Sequence, residues 1–410
     1  MKHVIIGSGA AGISAAKTIR ARGNNDDVVI VSADSSAYSR CMLYKFISGE
    51  RSVEELSFIP DRFFEQNRIR WRPDMTVSKV DTLFKRVKFV GGSESYDRLL
   101  IATGAESIIP PIEGLKNARN AFGLRHLSDA RMIRDSAAQA DNIIIIGAGL
   151  VGLNAAYGLI QMGKAPVVVE MAGTILSANL DTRAASVYYE KFEEAGCTFR
   201  LNSKVNGILS DANGVVTAVI LDSGERMLCD LLVVATGVRP AISFLSDSGI
   251  AYRRDIAVDK YLATNADGVY AAGDATGLSE NWPNAVLQGE IAALNMIGVP
   301  TEYHDNNTFS LKNTIHFFGI PSLTVGQFMP SDGDIENCRE DRGRYQKVIT
   351  RDGVPVGVIL QGDIARSGFW HHLIKNQINI SSISKSIWKV SFADSYSVEA
   401  NGEYKWLLGV

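Results

Sequence analysis

Nothing in this chain of 410 residues reads as a membrane-spanning helix, because no run of about 18 apolar residues occurs. Cysteine is scarce: Cys41, Cys197, Cys229 and Cys338 are the only four. None stands in a C-x-x-C or C-x-x-x-x-C arrangement, and no Cys/His cluster has zinc or iron–sulfur spacing. A local redox dithiol, a metal site and a cluster of local spacing are therefore not expected. Basic residues are not in surplus either, with 42 Lys plus Arg against 45 Asp plus Glu and a formal charge of −3. That balance argues against nucleic acid or an anionic membrane as a partner. The opening Met1-Lys2-His3-Val4-Ile5-Ile6-Gly7 lacks the apolar segment and cleavage site of a secretion signal, so a cytoplasmic location is expected.

What is present is an ordinary globular composition, 46% hydrophobic and 21% charged, at a length that implies two or three domains. Two segments share one pattern of apolar run, glycine-rich turn and small-residue helix. The first is Val4-Ile5-Ile6 followed by Gly7-Ser8-Gly9-Ala10-Ala11-Gly12. The second is Ile143-Ile144-Ile145-Ile146 followed by Gly147-Ala148-Gly149-Leu150-Val151-Gly152. A second β-branched run follows each, Val28 to Val31 and Val167 to Val169, which makes a strand–helix–strand unit of a parallel, doubly wound sheet. Apolar strands ending in Ala102-Thr103-Gly104 and Ala235-Thr236-Gly237 close the two units, and a third buried strand ends at Gly273-Asp274. The last hundred residues differ. Alternation in Tyr345 to Ile349 and Val356 to Leu360 predicts antiparallel strands, with a helix near Gly368 to Ile378.

G-x-G-x-x-G acts through sterics and electrostatics. The first glycine allows a tight turn and the second lets the backbone approach a pyrophosphate. The third lets helix pack on strand, with phosphates at the helix N-terminus. An acid at the end of the following strand binds an adenosine ribose. In the second unit it is Glu170, with no Arg or Lys from Met171 to Leu180 to receive a 2′-phosphate, so NADH is expected over NADPH. In the first unit the acid stands one place late, at Asp34.

Two dinucleotide folds, paired Ala-Thr-Gly strands and a late Gly-Asp resemble the two-dinucleotide-domain flavoprotein superfamily over residues 1–303. NADH:rubredoxin and ferredoxin reductases, the flavin portion of NADH-dependent nitrite reductase and NADH oxidases are the relatives suggested. The implied fold class is α/β: two Rossmann-like domains and a C-terminal α+β interface domain. FAD would take residues 1–107 and 236–303, NAD residues 108–235, and the interface domain residues 304–410. The resemblance implies FAD on the first fingerprint and NAD on the second. It puts Ser39, Arg40, Val77, Ala102, Thr103 and Gly104 among FAD contacts, Gly237 beside the nucleotide sites, and Asp274 on the ribityl hydroxyls. The stretch Trp282 to Gly289, with Asn284 and Ala285, resembles the helix whose N-terminus faces the flavin's pyrimidine edge.

The segment Tyr38-Ser39-Arg40-Cys41-Met42-Leu43-Tyr44-Lys45 resembles the Tyr-Ser-Arg-Pro-x-Leu-x-Lys segment of rubredoxin and ferredoxin reductases. Lys45 matches the lysine near flavin N5, where a cation favours the reduced flavin. In many relatives that lysine pairs with a glutamate two residues after the second fingerprint; here the position is Asn154, so Lys45 is expected to lack its usual anionic partner. Cys41 replaces the usual proline and occupies the place of the redox cysteine of NADH oxidases and CoA-disulfide reductases. Arg40 and Lys45 are expected to depress its pKa, while passive packing explains the residue equally well.

Three functions stay open. The first is electron transfer from NADH through flavin to a rubredoxin- or ferredoxin-like protein or an iron–sulfur partner subunit. The second is an NADH oxidase or thiol/disulfide reductase using Cys41, and the third a non-catalytic subunit that retains FAD. An oligomer is compatible with each. Aromatic Phe317-Phe318 and Phe369-Trp370 are expected in the core rather than on a partner surface.

Overall fold

The computed structural model describes residues 1–22, 25–278, 281–304, 312–394 and 396–406. Among these, the helices are α1 (Ala10–Ala21), α2 (Leu43–Ile47), α3 (Phe63–Gln66), α4 (Leu127–Ala137), α5 (Leu150–Gln161), α6 (Thr182–Glu194), α7 (Trp282–Met296) and α8 (Ser367–Lys375). The chain forms two compact units, residues 1–171 with 196–310, and residues 172–195 with 311–410.

The first unit contains both glycine-rich segments. Its first sheet is parallel, in the order Val269–Ala271, Arg98–Ile101, Lys2–Ile6, Asp27–Val31, Ile69–Arg72. Alternation along these strands sends Ile5, Val28, Ile30 and Leu100 into one apolar cluster with residues of α1 and α7. Val4, Ile6, Val29, Val31, Leu99 and Ile101 enter a second cluster on the opposite face. Both faces are covered, so the strands read as unbroken apolar runs. Helix α7 packs close on α1, since a Cβ on Gly289 would stand 2.2 Å from the Ala11 carbonyl oxygen. That approach brings the start of α7 beside the first glycine turn.

The second sheet repeats the plan in the order Thr198–Arg200, Val167–Val169, Ile143–Ile146, Leu231–Val234, Ala121–Phe122, again parallel. An antiparallel pair, Ala105–Ser107 with Val238–Pro240, carries the chain between the two halves just beyond the Ala-Thr-Gly ends.

In the second unit five antiparallel strands run in the order Lys312–Phe317, Ile320–Gly326, Val354–Gln361, Arg344–Arg351, Ile335–Asp341. The segment expected near Gly368 to Ile378 is helical as α8, and Phe369 and Trp370 are buried in its core. Phe317 is buried too, edge-on to Tyr188 and Phe192 of α6. Asp181 caps α6 by accepting from Ala184 N–H at 2.8 Å, and its other oxygen takes Tyr345 O–H and the buried Lys347 ammonium.

Candidate functional site

The two glycine turns are the same device built twice. Gly7 and Gly147 have φ of +107° and +104°, which only glycine adopts without strain. A Cβ on Gly12 would stand 2.0 Å from the Gly7 carbonyl oxygen, and one on Gly152 would stand 1.9 Å from that of Gly147. The middle glycines differ from these. A Cβ on Gly9 meets only the Arg40 guanidinium, at 3.8 Å, and one on Gly149 meets nothing within 4 Å. Each middle glycine is the N-cap of its helix and offers no side-chain cap. The first backbone N–H groups of α1 and α5 are thereby left to a ligand, as an anion site requires.

A cleft of about 360 Å³ opens at the first turn. Of the expected residues, Gly7, Gly9, Ala10, Ala11, Asp34, Arg40 and Cys41 line it. So do Val77, Ala102, Thr103, Gly104, Gly273, Asp274 and Ala285. Gly12, Ser39, Lys45 and Asn284 stand outside its wall. Gly12 is packed behind the turn, and Asn284 is fully buried in the first turn of α7, whose Asn281 and Trp282 line the cleft instead. Lys45 lies one helical turn beyond Cys41, on α2.

The charges in the cleft are paired across it. Arg125 donates from Nη2 to Asp274 at 2.5 Å and from Nε to the Ala105 carbonyl at 3.0 Å. Arg40 donates to Asp34 at 2.6 Å, and Tyr38 O–H donates to the other Asp34 oxygen at 2.8 Å. Tyr38 also accepts the Leu127 N–H at 2.9 Å, which ties the loop to the start of α4. Burial works against the charge on Asp34, but His126, Arg40 and Tyr38 outweigh it and hold the carboxyl well below its ordinary value. Arg125 and His126 were not legible as site residues, because Arg125 is 149 residues from Asp274 and carries no local motif.

Lys45 meets a different anion from the one missing at position 154: its ammonium donates to Glu50 at 2.6 Å. One expectation needs correction. The Cys41 thiol is not depressed by its cationic neighbours. Burial pushes its pKa up, Arg125 and Arg40 pull down, Asp274 adds to the rise, and the net direction is upward.

In the second half Glu170 follows the strand Val167–Val169 and accepts the Ala148 N–H at 2.7 Å, so its carboxylate sits at the glycine turn. Gly149 and Val151 are exposed, Leu150 half-buried and Gly152 buried, while Gly237 turns the chain at φ +113° beside Ile108.

Residues 1–289 match the family described as pyridine nucleotide-disulphide oxidoreductase. The chain belongs to that family. The NADH-dependent phenylglyoxylate dehydrogenase subunit epsilon of Aromatoleum evansii is 31% identical over 396 residues, 93% of each chain. Nitrite reductase [NAD(P)H] of Bacillus subtilis is 28% identical across 93% of this chain, which spans 48% of that longer protein. In fold, the chain is similar to the ferredoxin reductase for the CYP199A2 system from Rhodopseudomonas palustris. The TM-score is 0.80 at 22% identity, covering 90% of this chain and 93% of that one. The chain is accordingly an oxidoreductase of this family, with FAD and NAD(H) as cofactors.

The residues present fit a flavin dinucleotide in the first cleft. Gly9 leaves open the space a side chain would fill beside the Arg40 guanidinium, and Arg125 lines the same cleft next to Gly104. The Thr103 hydroxyl in the wall is buried with no hydrogen-bond partner among the described residues.

Proposed function

We propose that this chain takes hydride from NADH and passes the electrons to a separate redox protein or to an iron–sulfur partner subunit. The observation that carries the reading is the repeated open glycine turn: two helix N-termini with the same cap geometry, joined by the crossover strands Ala105–Ser107 and Val238–Pro240. Residues 1–107 with 236–303 hold FAD in this reading and 108–235 hold NADH, with 304–410 as the interface domain. Gly9, Arg40 and Arg125 meet the FAD diphosphate, and Asp274 the ribityl hydroxyls. Gly149 and the start of α5 meet the NADH diphosphate, and Glu170 its adenosine ribose. FAD, when bound, supplies the hydride acceptor. The chain aligns the two nucleotides and sets the local field, and no side chain is required as acid or base. The likeness to a subunit of a larger NADH-dependent enzyme supports a partner that receives the electrons. Four free cysteines support the reducing cytoplasm as its compartment.

Anaerobic mixing with NADH tests the reading. Bleaching of the bound flavin, followed by reduction of an added ferredoxin or rubredoxin faster than of oxygen or disulfides, is the expected result. A flavin that NADH leaves yellow overturns it. Cys41→Ser separates this function from a thiol-based one. With the thiol pKa raised and one cysteine in the cleft, the variant is expected to keep both flavin reduction and electron transfer within about twofold. Loss of turnover with intact flavin reduction would favour the oxidase or disulfide reductase.

Glu170 sets the coenzyme preference by repelling a 2′-phosphate. Glu170→Gln removes that repulsion, and the preference for NADH over NADPH in kcat/KM is expected to narrow by about tenfold, on the order of 1.4 kcal/mol.

A further inference from the structure

Glycine is disfavoured inside a helix relative to alanine, because it has more backbone freedom to lose. Helix α5 nevertheless carries Gly158 within its Leu150–Gln161 span, where the residue is buried. Its surroundings account for it. A Cβ there would stand 2.7 Å from the Tyr44 carbonyl oxygen and 3.4 Å from the Ile47 Cβ, both on α2. That carbonyl is held in place, since it accepts the Ser48 N–H at 3.0 Å. Tyr157 packs edge-on to Tyr44, with ring centroids 6.0 Å apart. At Gly158, therefore, α5 rests on the backbone of α2.

Each of these two helices leads to one of the glycine turns. Helix α2 continues directly from the single turn Arg40–Met42, and Arg40 and Cys41 line the first cleft. A Cβ on Gly9 would meet Arg40 Nη1 at 3.8 Å, so that single turn stands beside the first glycine turn. Helix α5 begins at the second glycine turn, where Gly152 fits against the Gly147 carbonyl. At about 3.6 residues per turn, Gly152 and Gly158 fall on different faces of α5. One glycine seats the helix on its own turn, and the other seats it on α2. Helix α4 holds α2 as well, with the Arg134 guanidinium 4.1 Å from the centre of the Phe46 ring.

We propose that Gly158 is a positioning residue for hydride transfer between the two nucleotides: by letting α5 seat on the α2 backbone, it fixes the second glycine turn relative to the cleft at the first. This rests on the proposed places of FAD and NADH at those turns. An alanine at 158 pushes the helices apart, and the contact is with backbone, so no flexible side chain can give way. Relief to ordinary contact displaces one helix from the other by less than about 1 Å. Neither glycine turn is altered, so each nucleotide keeps its own site. What changes is their mutual placement, and a displacement of about 1 Å costs on the order of a hundredfold in rate.

The test compares FAD-loaded wild type, Gly158→Ala, Tyr157→Leu and, as a control, Gln161→Ala at the exposed end of α5. Alanine favours the helix, so Gly158→Ala is expected to fold. Its flavin per chain and its affinity for NAD+, titrated calorimetrically, are expected to stay within about twofold of wild type. The limiting rate of flavin bleaching at saturating NADH is expected to fall by about tenfold. Tyr157→Leu removes the ring contact without adding volume and is expected to lower that rate by about threefold. It also carries the test should the alanine variant not fold. Gln161→Ala is expected to match wild type. A wild-type limiting rate in the folded variants, or a loss confined to NAD+ affinity, overturns the positioning role and leaves both nucleotide sites standing. A wild-type flavin that NADH does not bleach overturns the reading beneath it.

Discussion

A Gly12→Val variant is expected to purify colourless, with at least tenfold less flavin per chain than wild type. The added Cβ would lie 2.0 Å from the Gly7 carbonyl oxygen and 3.2 Å from Ile5 Cγ2. Gly7 cannot retreat: its N–H is bonded to the Val31 carbonyl at 2.8 Å, and its own Cα faces the Ala102 carbonyl so closely that a Cβ would approach to 2.2 Å. Ile5 and Val31 belong to the buried sheet, so the strain falls on the start of α1. Overpacking of this kind costs about 1–3 kcal/mol and is relieved by backbone movement. Movement of α1 takes the N–H groups away from the diphosphate, and about 3 kcal/mol of binding is on the order of a hundredfold in affinity. Absorbance of the flavin relative to protein, with gel filtration to verify folding, measures the outcome. A fully yellow variant would refute the assignment of this turn to FAD.

Gly152→Val is expected to do the complementary thing, keeping its flavin but losing its reaction with NADH. Here the added Cβ would stand 1.9 Å from the Gly147 carbonyl oxygen and 3.4 Å from the Ala235 Cβ. The turn is pinned by Gly147 N–H on the Val169 carbonyl at 2.8 Å, and Ala235 follows the neighbouring strand Leu231–Val234. The start of α5 must then shift, and a displacement of about 1 Å at a positioning element costs on the order of a hundredfold in rate. Stopped-flow bleaching by NADH should slow by about that factor while the flavin-to-protein ratio stays at the wild-type value. Unslowed bleaching would mean that NADH does not use this turn. The two variants together separate the nucleotide sites, because the same steric fault in equivalent turns yields different losses.

Much of the fold was legible because its signals are local. The glycine spacings, the β-branched runs and the Ala-Thr-Gly ends each occupy a few consecutive residues, and the physics they encode operates within one turn or strand. The second unit is a different case: α6 is separated from the C-terminal sheet by more than a hundred residues, yet Tyr188 and Phe192 close its core against Phe317. Nothing in the α6 sequence names that partner. The helix itself is only an amphipathic stretch, and such a face packs against whichever apolar surface the topology brings to it.

The cleft divides along the same line. Gly7, Gly9 and Gly12 could be read from spacing, because a turn that tight admits few other residues. Asp34 reads as an acid shortly after a strand, and the role of Asp274 follows from the resemblance. The charges that face them, Arg125 on Asp274 and His126 near Asp34, come from the other half of the first unit. Even the nearby Lys45–Glu50 pair needed the reversal at Gly49 before a spacing of five residues became a contact. The sequence alone determined the two glycine turns, the parallel sheets beneath them and the family, since backbone sterics and hydrophobic periodicity act along the chain. Tertiary structure decided which charges meet in the cleft, which way the Cys41 thiol titrates and what holds Lys45. Electrostatics depends on distance through space and on burial, and neither is written in residue order.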